Sequence, residues 1–255
     1  MKKLQIVCCF IVVSLLGGNH FARAADPAHP DQPIVSPAEA ISRLKEGNGR
    51  FTADNAQHPH ESSDERKHMA TNSYENAGMI FLGMTAEQAA KRRGELTKSQ
   101  HPFATIVSCS DSRVPPEIVF DEGLGDLFVV RVAGNVINDE NVGSIEYSVD
   151  HLGVRMIVVL GHQRCGAVKA AKETIAAKGK APAHIQSLVN AIRPAVEATM
   201  NSDLEATVKA NVKDVVQALR ESTPILKPQI DSGAVRVIGG YYSLDTGSVT
   251  FLEEK

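Results

Sequence analysis

Tryptophan is absent from this 255-residue chain, and cysteine is scarce: only Cys8, Cys9, Cys109 and Cys165 occur. Two of the four lie in an apolar stretch near the N-terminus, which leaves one pair for the rest of the chain. That excludes a disulfide-dense scaffold and a closed four-cysteine metal site. A basic excess is missing too. The 27 Lys and Arg face 30 Asp and Glu, so nothing suggests a nucleic-acid surface. The main apolar run, LQIVCCFIVVSLLGG, falls short of the roughly 20 residues a spanning helix needs.

That run follows MKK and precedes NHFARA, which ends in Ala22-Arg23-Ala24, a small-x-small cleavage pattern. Residues 1–24 therefore read as a signal peptide cut near Ala24, with an uncleaved anchor as the alternative. The protein is expected to be periplasmic or secreted, with no membrane segment after cleavage. Without Lys2, Lys3 and Arg23, 24 basic residues face 30 acidic ones, a net charge near −6. In an exported protein, two cysteines ordinarily read as one disulfide.

Residues 25–35 are rich in Pro and Asp and read as a flexible lead-in; 36–255 fit a single domain. SPAEAISRLKEGNGRFTADN opens it as a helix, with Ser36 as N-cap, Pro37 in the first turn and Glu39 completing a capping box. Ala40, Ile41, Leu44 and Phe51 supply its apolar side. A polar loop follows, and then a second helix from Thr85. FATIVS (103–108), DLFVVRV (126–132) and VRMIVVLG (154–161) are strands; the first and third are apolar throughout, as buried parallel strands are. NVGSIEYSVDHL lies between them as a helix with Ile145, Val149 and Leu152 inward, and CGAVKAAKETIAAKGK follows as another. Two further helices occupy 183–198 and 203–220, and a hairpin across LDTG closes the chain. The alternation predicts an α/β fold: a mostly parallel central sheet flanked by helices, with an N-terminal helical arm.

In such a sheet, sites form at the carboxyl ends of strands. Cys109 ends the first strand, His162 ends the third, and Cys165 opens the next helix, where the dipole favours a thiolate. If the two strands are neighbours, the three side chains converge. Two thiolates and an imidazole suit zinc, and three protein ligands leave the open vertex of a catalytic site. Asp111 and Arg113 follow at alternating positions, so the guanidinium can hold the carboxylate ionised beside the metal. A surface ion pair at a strand end is the plainer reading of that spacing.

CSDSRV followed some fifty residues later by GHQRCG resembles the β-class carbonic anhydrases. AISRLKEGNGRF, FATIVSCSDSRVPPEIVF, GDLFVVRVAGNVI and GSIEYSVDHLGVRMIVVLGHQRCGAVKAA extend the resemblance in order and spacing. It implies one zinc per subunit on Cys109, His162 and Cys165, and a catalytic dyad of Asp111 and Arg113. It also implies reversible hydration of carbon dioxide to bicarbonate in a homodimer or homotetramer, the helical arm embracing the second subunit. Gln100, Gly166, Phe128, Ala133 and Tyr147 match substrate-binding positions, Tyr147 from the partner. Family members that switch off by closing the aspartate onto zinc carry a Trp where this chain has Ile106; Gln100 matches the constitutively open kind. Arg131 and Tyr242 match parts of the regulatory bicarbonate pocket. His101 stands out as a candidate proton shuttle.

Other readings keep parts of this site: a carbonyl sulfide or carbon disulfide hydrolase of the same fold, a non-catalytic zinc or bicarbonate-binding protein, and a disulfide-stabilised binding protein. Asp245-Thr246-Gly247 reads as a hairpin turn. His58, His60 and His68 read as solvated loop, GLGDLF lacks the third glycine of a dinucleotide motif, and Lys91-Arg92-Arg93 read as a solvated helix face.

Overall fold

The computed structural model describes residues 34–57, 91 and 94–252. The expected signal peptide, most of the lead-in, the polar loop with its three histidines and the start of the second helix lie outside the described residues.

Helix α1 (Pro37–Thr52) begins where Ser36 accepts a hydrogen bond from the Glu39 amide at 3.2 Å. The reciprocal half of the expected capping box is replaced: the Glu39 carboxylate pairs with Arg43 one turn on. Ala40, Leu44, Gly47 and Asn48 are buried against the chain's own sheet side, so α1 is docked rather than extended. Gly47 permits the close approach, because a β carbon there would meet the Phe120 carbonyl oxygen at 1.7 Å.

The sheet strands are β1 (Ala104–Ser108), β2 (Leu127–Arg131), β3 (Met156–His162), β4 (Arg236–Tyr242) and β5 (Val249–Leu252), in the order β2-β1-β3-β4-β5. The first four run parallel and β5 returns antiparallel through the expected hairpin. β1 and β3 are buried at every position, which is why their sequences do not alternate. β2 is a sheet edge and mostly half-buried.

Further helices bounded within the described residues are α2 (Pro116–Val119), α3 (Asp139–Asp150), α4 (Gly166–Ala176), α5 (Ile185–Ala198), α6 (Leu204–Glu221) and α7 (Leu226–Asp231). The sequence reading missed α2 and α7; each is a turn or so long and carries an internal or initial proline. One face of the sheet packs Ile106, Met156, Val158 and Leu160 with α1 residues; the other packs Val107, Ile157 and Val159 with α6. Among the described residues no helix is long and apolar enough to cross a membrane.

Candidate metal centre

Strands β1 and β3 are neighbours, with Ser108 opposite Leu160, so their carboxyl ends lie side by side. Cys109 leaves β1, His162 ends β3 and Cys165 caps α4. Their ligand atoms all lie within 4.8 Å of one another, and all three residues are buried. The sulfurs are 4.0 Å apart and both cysteines are free. A disulfide would need about 2.05 Å, whereas two sulfurs about 2.3 Å from a tetrahedral zinc sit about 3.8 Å apart.

His162 faces this pair with a defined tautomer. Its Nδ1 lies 3.0 Å from the Gln163 carbonyl oxygen, which can only accept, so Nδ1 carries the proton. Nε2 then presents a lone pair; it is buried and has no hydrogen-bond partner. Such an orphan costs free energy unless something fills it, and the donor set suits zinc. The sulfurs make the same demand. Cys109 is pushed toward the thiolate chiefly by the Cys165 thiol, against burial and with further help from the Gly134 amide, 3.2 Å away. Cys165 is pushed the other way by the same contact and by burial. The pair shares one proton, which a divalent cation would replace.

Asp111 and Arg113 form a two-pronged ion pair, Nε to Oδ1 at 2.9 Å and Nη2 to Oδ2 at 2.7 Å, and the Arg113 amide adds a third bond at 3.0 Å. These bonds from Arg113 hold the Asp111 carboxyl well below the usual carboxylate range. Oδ2 lies 3.8 Å from His162 Nε2, so the carboxylate borders the ligand cluster. Arg131 reaches across from β2 to donate to the carbonyls of Cys109, at 2.9 Å, and Asp111, at 2.6 Å. Its guanidinium thus anchors the ligand loop. Tyr242 is buried in the core cluster that holds Ile106 and Leu160.

The other expected site residues fall into two groups. Ala133 belongs to a 3₁₀ turn (Ala133–Asn135) whose Gly134 amide meets Cys109, and Gly166 is the first residue of α4 beside Cys165. Phe128 pairs with Thr105 near the amino end of β1, and Tyr147 packs on it with ring centroids 6.4 Å apart. Gln100 lies further back still and is exposed. The chain does not bring these three to its own ligand cluster. His101 also precedes β1, and the five strand residues put roughly 16 Å between it and Cys109. That distance removes it as a direct proton shuttle for the metal of its own chain; it bonds Ser99 at 2.8 Å instead.

Sequence reasoning missed the Gly134 amide and the anchoring role of Arg131. The Gly134-Asn135 pair, both at positive φ, was the available signal for a tight turn aiming an amide inward.

A parallel α/β sheet with a buried two-cysteine, one-histidine set and an adjacent Asp-Arg pair defines a candidate catalytic metal protein. A family model described as carbonic anhydrase matches residues 104–249. The chain is 36% identical over 218 residues to a protein named carbonic anhydrase 2 from Mycobacterium tuberculosis, covering 84% of this chain and 92% of that one. It is 34% identical over 221 residues to a carbonic anhydrase of Mycolicibacterium smegmatis, covering 85% and 94%. The solved structure of the β-carbonic anhydrase CcaA superposes with a TM-score of 0.59 at 26% identity, over 66% of this chain and 87% of that one. The chain belongs to the β-class carbonic anhydrase family.

Proposed function

We propose that the protein is a zinc enzyme that reversibly hydrates carbon dioxide to bicarbonate and a proton. The observation that carries this is the buried convergence of Cys109 Sγ, Cys165 Sγ and the unpartnered His162 Nε2 beside a charged Asp111. These residues would hold one zinc per subunit. Zinc in such a set lowers the pKa of water to about 7, making a nucleophile available near neutrality.

The chain's own residues do the rest. Asp111, ionised, accepts hydrogen bonds and cannot donate them, so it orients a donor on the attacking group. Arg113 fixes the carboxylate, and because it occupies both oxygens the arrangement supports the open, active form. The Gly166 amide, among the unpaired donors of the first turn of α4, suits a developing negative oxygen. The half-buried Ala133 and the apolar surroundings of Cys109 favour a small uncharged substrate.

Gln100, Phe128 and Tyr147 complete the cleft when supplied by a second subunit. Among the described residues β2 is an edge strand and carries Phe128, which supports a homodimer, which two dimers would extend to a tetramer. Residues 1–24 support export to the periplasm or beyond.

Stopped-flow hydration of carbon dioxide tests the activity directly. Zinc-loaded protein is expected to be active, and Cys165→Ser to lose both zinc and activity by at least about 10³-fold. Zinc-loaded protein with no hydration above the buffer rate would refute the proposal.

A further inference from the structure

The segment between His162 and Cys165 contains an unusual backbone. Arg164 has φ +54°, in the left-handed region that a β carbon disfavours, one residue before a ligand. Such a conformation persists only where its surroundings hold it.

The holding contacts come from the turn between β4 and β5. The Asp245 carboxylate accepts from Arg164 Nη2 at 2.7 Å and from Gln163 Nε2 at 2.8 Å. The Asp245 amide donates back to Gln163 Oε1 at 3.2 Å. The Gln163 amide in turn donates to the Tyr242 carbonyl at 2.8 Å, and the Gln163 carbonyl is the acceptor that fixes the His162 ring. Asp245 is therefore two contacts away from one ligand and, through Arg164, one residue of backbone away from the other.

The turn is fixed on its far side as well. Buried Asn48 of α1 donates to the Gly247 carbonyl at 2.8 Å and accepts from the Val249 amide at 2.8 Å. A β carbon at Gly247, where φ is +73°, would approach the Phe51 ring at 2.9 Å. The hairpin is thus a strut between the N-terminal helix and the ligand loop.

We propose that Asp245 is a positioning residue for the metal centre: it holds Gln163 and Arg164 so that His162 and Cys165 keep their ligating geometry. This rests on the zinc reading above. An isolated exposed ion pair contributes little. Here one residue closes a ring of three polar contacts beside a backbone that must be restrained.

The test is the rate at which zinc-loaded protein yields its metal to a chromophoric chelator. Wild type, Asp245→Ala, Arg164→Ala and the double variant are compared, with thermal melts and the visible spectra of the cobalt-substituted forms. Asp245→Ala is expected to release zinc about three- to tenfold faster, below the range usual for buried outer-sphere partners because the contact is exposed. The cobalt bands should shift while the melting temperature stays near wild type. The double variant should release no faster than the quicker single, because the Arg164–Asp245 bond that Arg164→Ala breaks is already lost in Asp245→Ala. Release at the wild-type rate from zinc-loaded Asp245→Ala, or singles whose effects multiply in the double, would overturn the proposal while leaving the zinc reading intact. Wild type that takes up no zinc would overturn both.

Discussion

The two ends of β1 treat carboxyl groups in opposite ways. At the carboxyl end, Asp111 is locked to Arg113 and held charged beside the ligand cluster. Toward the amino end, Glu122 is pushed up to about 8, first by burial and then by the Asp126 carboxylate, with Asp121 adding to the effect and Arg50 and Arg43 opposing it. One end stores a permanent charge where chemistry needs an acceptor. The other end keeps a carboxyl protonated among Asp126, Asp121 and the α1 arginines Arg50 and Arg43. The ligand cluster at the charged end is complete within one chain, whereas the lining from Gln100, Phe128 and Tyr147 is the part proposed to come from a second subunit.

The proposed sharing between subunits can be broken and restored. Cys165→Ser removes the ligand set, while a Phe128→Ala/Tyr147→Ala double variant removes the lining proposed to act on the other subunit. Each alone should be nearly inactive. Mixed under subunit exchange, they should regain activity, because one site of each heterodimer then carries wild-type ligands and wild-type lining. Stopped-flow assays of the mixture check this, and a simple average of the two parents would show that the amino-end residues do not act across the interface.

A smaller effect is expected at the charged end. Asp111→Asn should keep its zinc but lose hydration about 10- to 100-fold, as outer-sphere partners of a metal typically do. Metal analysis beside the kinetics separates this from loss of the ion.

The smallest effect concerns stability. An unfolded glutamate loses its proton near 4.3, while folded Glu122 retains its own to about 8. Between these values the folded state binds more protons, so this group makes stability fall as pH rises. Glu122→Gln should flatten that slope in urea melts between pH 5 and pH 9. An unchanged slope would remove Glu122 as its source.

The carboxyl end was also the legible one. Buried strands announce themselves as unbroken apolar runs, and the first and third stop at Cys109 and His162, with Cys165 opening the next helix, so the candidate cluster was readable once the family resemblance made the strands neighbours. The α1 cap was readable in part, since Ser36 behaves as a cap while Glu39 chooses Arg43. Arg131 and Asp245 were not, because their partners are backbone carbonyls or residues about 20 and 80 positions distant. His101 stood out by position, and a full strand separates it from Cys109 of its own chain.

X-ray absorption at the zinc edge of the purified, undenatured protein tests the central claim most directly. The account predicts two sulfurs at about 2.3 Å, one imidazole nitrogen at about 2.0–2.1 Å and a fourth light atom. A sample without zinc whose Cys109 and Cys165 are joined as a disulfide would contradict it.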